Sequence, residues 1–243
     1  MPEIYPEKYG DYPVYEDITI EVMNDCVFID PRTNIDNVGT FITFDKEHDY
    51  GDEHTFSNRE EVEKFIKDKN CESFNVYMKE DGHLDISESS QSKYIGVIYS
   101  TPSDIRKEFD KDTSETREKV REALRYEIEA VDAFIHDDIY AYEIKTPNGV
   151  YEEYHGFYGK KECIEEALLD YDKLCENFTT PEAVENFIKK DRDNYKLLPM
   201  ECRTLEASKQ YIKAGGDVKE IPQKYVKNVI KKVIFSDNSK MSL

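Results

Sequence analysis

The run at residues 113–136, TSETREKVREALRYEIEAVDAFIH, constrains the fold more than any other stretch. Val120, Ala123, Leu124, Ile128, Val131, Phe134 and Ile135 recur at three- and four-residue intervals, so they share one face of a helix about six turns long. Glu and Arg occupy the opposite face at spacings that favour ion pairs along a helix. An apolar stripe of this length needs a partner layer, and the rest of the chain supplies hairpins for it.

VGTFITF and KYIGVIYS read as strands, and DITIEVM alternates Ile18, Ile20 and Val22 against polar neighbours. DITIEVM is expected to pair with DCVFID through a turn at Asn24–Asp25. Asp81-Gly82 and Asn148-Gly149 mark two further hairpins. Thr101-Pro102 and Thr180-Pro181 start helices, and Ser57 or Asn58 caps a helix over SNREEVEKFIKDK. DPRTNIDN is expected to be a loop, and the Pro-rich MPEIYPEKYGDYPVYE an extended arm. No βαβ rhythm with a Gly-rich loop occurs. The class is therefore α+β: an antiparallel sheet built from hairpins, packed by the long helix, with a helical C-terminal part. Beyond residue 170 only helices are predicted. This divides an acidic α+β domain, residues 1–170, from a helical C-terminal extension, residues 171–243, basic at its end.

Charge limits the partners. Among 243 residues, 53 Asp and Glu face 33 Lys and Arg, for a formal charge of −20. From residue 207 onward eight lysines outnumber Asp217, Glu220 and Asp237, a net of +5, so the remainder carries −25. Such a surface repels phosphate and favours basic proteins, so direct nucleic-acid binding is not expected. The 18 Tyr and 12 Phe argue for a folded chain. Cys26, Cys71, Cys163, Cys175 and Cys202 are odd in number and contain no CxxC, which predicts reduced thiols. No apolar run reaches the roughly 20 residues of a membrane-spanning helix. With no signal peptide recognised, a cytoplasmic location is expected.

The densest group of chemistry-bearing residues is FDKEHDYGDEHTF. Glu47, Asp49, Asp52 and Glu53, with Asp45 nearby, are expected on an exposed loop at the edge of the VGTFITF sheet, presenting negative charge to a basic partner. Unpaired burial of so many carboxylates would cost several kcal/mol each. Neutralising Asp49, Asp52 and Glu53 is accordingly expected to change stability by about 1 kcal/mol or less. His48, Asp52 and His54, with Asp49, are alternative metal ligands of a small metal-dependent enzyme, but His48 and His54 lack the i, i+4 spacing of helical zinc sites. His136-Asp137-Asp138 ends the long helix, where a histidine offsets the helix dipole. Gly156-Phe157-Tyr158-Gly159 joins a strand to a helix, and its amides offer a third reading, nucleotide binding, without a phosphate-loop signature. His83 and His155 have no evident partner. No GxSxG or cysteine-nucleophile pattern occurs. No catalytic residue and no cofactor is assigned.

The stretches DNVGTFITF, YGDEH, GVIYSTPSDIRKEF, VDAFIHDDIYAYEI, HGFYG and CIEEAL together resemble a family of uncharacterised proteins common in phage and plasmid genomes. The resemblance covers about residues 30–170. Asp137-Asp138 replaces the family's usual Gly-Asp, the middle is shorter, and the C-terminal helices have no counterpart. It implies a mobile-element origin and expression in a bacterial host cytoplasm, and brings no enzymatic role. The expected function is that of an accessory protein acting by protein–protein interaction. Its target would be a basic host protein, such as a defence factor that binds nucleic acid and is inhibited by the acidic body.

Overall fold

The computed structural model of the chain describes residues 3–5, 15–26, 29–34, 36–44 and 50–229. In chain order its elements are β1 (Glu3–Tyr5), β2 (Thr19–Asn24), α1 (Pro31–Asn34), β3 (Thr40–Thr43), α2 (Arg59–Lys69), β4 (Glu72–Met78), β5 (Leu84–Asp85), β6 (Lys93–Ser100), α3 (Pro102–Phe109), α4 (Ser114–Ile135), β7 (Ile139–Thr146), β8 (Gly149–Tyr158), α5 (Lys160–Glu176), α6 (Pro181–Lys190), α7 (Leu205–Lys213) and α8 (Gln223–Val229). The fold is mixed α+β with two four-stranded antiparallel sheets, ordered β1-β2-β7-β8 and β3-β6-β4-β5, and C-terminal helices.

Packing separates two compact units. One comprises residues 25–139 and 156–160; the other comprises the described residues of 1–24, 140–155 and 161–243. This division differs from the composition boundary near residue 170, because the C-terminal helices share a unit with most of β7 and β8.

In the 25–139 unit the central strand β6 is buried on both faces, which explains its unbroken apolar run. On one side Phe41, Val76, Ile95 and Ile98 pack against Val120, Leu124, Ile128 and Val131 of α4. On the other, Ile42, Val97 and Tyr99 meet Val62 of α2, with Phe56 and Phe65 around them. The pairing steps from Val76–Gly96 to Tyr77–Tyr94, leaving Ile95 as an extra residue in β6. That bulge resets the alternation and lets Ile95 join Ile98 in one core. Local signals set the helix ends. Asn58 caps α2 by accepting from Glu61 N. Thr101 with Asp104, and Thr113 with Thr116, close reciprocal capping boxes on α3 and α4. Gly82, at φ +89°, completes the β4–β5 hairpin with Lys79 N donating to His83 O.

In the other unit β7 and β8 form the hairpin predicted around Asn148-Gly149. Tyr15, Phe178 and Phe187 make successive edge-to-face contacts, and Tyr195 stacks on Tyr211 at 4.4 Å.

Two local expectations are corrected. β2 pairs with β1 and β7 rather than with DCVFID; Asp25 N instead donates to Ile139 O. Part of the DPRTNIDN loop is the helical turn α1, with Pro31 at its first position, where a missing N–H costs nothing. Of the N-terminal arm, residues 3–5 are β1 and residues 6–14 lie outside those described.

Gly96 shows how closely β6 and β3 approach. A Cβ there would sit 2.0 Å from Ile42 O. Gly96→Ala is expected to cost about 3 kcal/mol or more, since the obstacle is backbone and cannot swing aside. Denaturant unfolding should show a lower midpoint with an unchanged m-value.

Candidate functional site

Two polar assemblies stand out in the 25–139 unit. The first is centred on Arg32, whose side chain is 6% exposed. Its Nε and Nη2 donate to Asp52 at 3.1 and 2.6 Å, and Nη1 donates to Glu127 Oε2 at 2.7 Å. Asn37 Oδ1 and Gly39 O accept the remaining donors. The carboxylates in turn bind backbone: Glu127 Oε1 accepts from Val38 N and Gly39 N, and Asp52 Oδ2 from Phe41 N. Burial alone would lower the Arg32 pKa, but the hydrogen bonds to Asp52 and Glu127 outweigh it, and the pKa is raised. Gly51 makes this possible. A Cβ there would lie 2.8 Å from Phe41 O, so only glycine lets the chain run this close to β3.

This assembly takes in part of the acidic window. Asp52 is a bidentate partner of a buried guanidinium, so it is a structural carboxylate as well as a half-buried one. Glu53 is exposed. His54 Nε2 lies 3.1 Å from Thr43 O, against the β3 edge. Glu47, His48 and Asp49 lie outside the described residues. Asp52 was expected on an exposed, unpaired loop, and the structure instead pairs it with Arg32 and with Phe41 N. Its removal leaves Arg32 and Phe41 N short of an acceptor.

The second assembly was not predicted. It joins His83, at the end of the β4–β5 turn, to Asp132 in the last turn of α4 and to His136, which caps that helix. His83 Nδ1 lies 2.9 Å from Asp132 Oδ2, and Leu84 N donates to Asp132 Oδ1 at 2.6 Å. His136 Nδ1 lies 2.8 Å from Asp132 O and 3.4 Å from Oδ1. The two imidazoles stack at 3.9 Å with planes 17° apart. Side-chain exposures of 47%, 22% and 27% for His83, Asp132 and His136 leave the group open to solutes. The hydrogen bond to Asp132 raises the His83 pKa above its ordinary value. One ligand-type atom from each residue falls within 4.8 Å of the others, and no further such group occurs among the described residues. His136 does end the helix as expected. The signal for the rest was the i, i+4 pair Asp132–His136 on one helix face; only the fold could bring His83 to it.

The other candidates are occupied by local structure. Gly156 to Tyr158 are the end of β8 and only Gly159 lies between it and α5; Gly156 N donates to Asp25 Oδ2 and Gly159 N to Asp138 O, so both amides already have acceptors. His155 pairs with Glu153. All five cysteines are free thiols. Burial pushes Cys71 up to about 11 and Cys175 to about 12, the reverse of what a nucleophile needs. No helix among the described residues is long and apolar enough to cross a membrane. Comparison with protein-family models, curated proteins and solved structures found no match to the chain.

Arg32→Met leaves Glu127 buried without its counter-charge and should cost about 3–5 kcal/mol. Asp52→Asn should cost about 1–3 kcal/mol, whereas Glu53→Gln stays within about 0.5 kcal/mol. Chemical denaturation of the three variants measures the contrast, and equal effects of the last two would exclude a structural Asp52. For His83, a raised folded-state pKa means its bond to Asp132 contributes fully below the unfolded value of about 6.5 and is lost as pH rises through the folded value. NMR titration should place His83 above an unfolded-chain histidine, and Asp132→Asn should bring it back down.

Proposed function

We propose that the protein binds a divalent transition-metal ion, zinc by ligand type, through His83, Asp132 and His136. One observation carries this reading: the imidazole of His83 from the β4–β5 turn meets the carboxylate and imidazole at the end of α4, open to solvent, with a ligand atom of each within 4.8 Å of the others. Imidazole with carboxylate suits zinc and its neighbours rather than magnesium or calcium. Ligands about 2.1 Å from a tetrahedral ion are about 3.4 Å apart. His83 Nδ1 lies 2.9 Å from Asp132 Oδ2 and His136 Nδ1 lies 3.4 Å from the other oxygen, Oδ1, so the two rings must shift to share an ion with the carboxylate. The ring stack must also open, because nearly parallel imidazoles aim their in-plane lone pairs side by side. His83, half-exposed, is the ring with room to turn. His136 Nδ1 must release its contact with Asp132 O, and binding displaces protons from the site. Asp81 and Asp85 nearby add to the negative potential that draws a cation in, partly offset by Lys79. Three protein ligands leave a fourth position for water or an outside donor.

This reading keeps the metal alternative foreseen for residues 48–54 and moves it to a different set of ligands. Calorimetric titration with zinc should give one site per chain, abolished in His83→Ala/His136→Ala and retained in His54→Ala. Retention of zinc by the double variant would overturn the assignment.

A second reading rests on the charge of −20 and on the resemblance of residues 30–170 to phage- and plasmid-borne proteins. An acidic accessory protein would occupy the basic groove of a host nucleic-acid-binding protein, with affinity falling steeply as salt rises. Competition of the purified chain with duplex DNA for such a protein, at low and high salt, tests it. Salt-independent or absent competition removes it.

A further inference from the structure

We propose that the bound ion fastens the arm of residues 79–92 onto α4 and thereby assembles one wall of an adjoining cleft; this rests on the metal-binding reading above. The arm has few attachments of its own. β5 is two residues long and pairs with β4 through Tyr77–Asp85 and Met78–Leu84. Tyr77 Oη meets Glu88 at 3.5 Å, and within the arm Lys79 N donates to His83 O and Lys79 pairs with Asp85. Leu84 and Ile86 are its apolar anchors. Beyond them the chain runs ISESSQS, with Ser89 and Ser92 bonded to each other.

Polar attachment to α4 passes through a single carboxylate. Asp132 takes Leu84 N on one oxygen and His83 Nδ1 on the other. Beside this tether lies a cleft of about 400 Å³. Leu84, Asp85, Ile86 and Ser87 of the arm form one wall, and Arg125, Ile128 and Glu129 of α4 form the other. Arg125, Glu129, Asp132 and His136 succeed one another at three- or four-residue steps along one face of α4, so the tether follows Glu129 by one turn along the helix wall of the cleft. Core packing of Leu84 and Ile86 and the two bonds to Asp132 together set the separation of the walls, and the His83 bond is the solvent-exposed member of that set. A hydrogen bond to a half-exposed imidazole exchanges with water. An ion gripping His83 together with Asp132 and His136 binds the attached arm and not a detached one, and shifts the balance in proportion to its occupancy. Leu84 N stays on Asp132 Oδ1 and orients the carboxylate from behind.

The test is hydrogen exchange on the full chain, stripped with chelator and measured with and without zinc, alongside zinc calorimetry. Amides of residues 79–92 should exchange about tenfold more slowly with zinc, while those of α6 do not change. His136→Ala leaves the Leu84–Asp132 bond in place and should lose the zinc effect while keeping the fold. Zinc bound at one per chain, lost in His83→Ala/His136→Ala, with exchange of residues 79–92 unchanged, overturns this inference and leaves the metal reading standing. No zinc binding overturns both.

Discussion

The 25–139 unit is organised around the buried guanidinium of Arg32. It joins three segments far apart in sequence: the α1 turn, the chain after β3 at Asp52, and the middle of α4 at Glu127. The carboxylates that neutralise it also accept the backbone amides of Val38, Gly39 and Phe41, so charge pairing and chain path are set together. A buried ion pair gains little over apolar side chains of the same volume, because desolvation offsets most of the Coulomb attraction. What apolar groups could not do is terminate those three amides. The assembly therefore specifies how the entry to β3 meets α4, and it places Gly51–His54 along the outer side of β3.

Much of the fold was legible because its causes are local. The apolar stripe of α4 leads to Val120, Leu124, Ile128 and Val131, all buried. The Asp81-Gly82 and Asn148-Gly149 turns lead to hairpins, and the Thr-Pro pairs to α3 and α6. What was not legible depends on contacts distant in sequence. Division into two sheets follows from β2 pairing with β7, about 120 residues on, and no local pattern distinguishes that partner from DCVFID next door. The Ile95 bulge was hidden for a related reason: a strand buried on both faces shows no alternation to interrupt.

The same contrast separates the two polar assemblies. Local reading treats the acidic window as a wet loop because five carboxylates cannot all be buried unpaired, and that argument says nothing about which one acquires a cation. The available clue was Glu127, three residues beyond Leu124 and so on the apolar side of α4, where a carboxylate demands a counter-charge. For the His83–Asp132–His136 group the clue was weaker. Its helical half has a spacing that can be recognised, but its hairpin half depends on β4 and β5 carrying the turn to the end of α4.

The termination of the β3-β6-β4-β5 sheet has a consequence for the behaviour of the chain in concentrated solution. One edge, β3, is accompanied by the chain at Asp52, whose N–H donates to Phe41 O. The other, β5, is two residues long and flanked by the Lys79–Asp85 ion pair. Bare strand edges invite other chains to add on, the first step of intermolecular aggregation. β5 covers β4 only at Tyr77 and Met78, so along Glu72–Val76 it is like-charge repulsion at −20 that holds neighbouring molecules off. A sheet whose central strand is among the most apolar segments of the sequence can thus remain dispersed without being closed into a barrel.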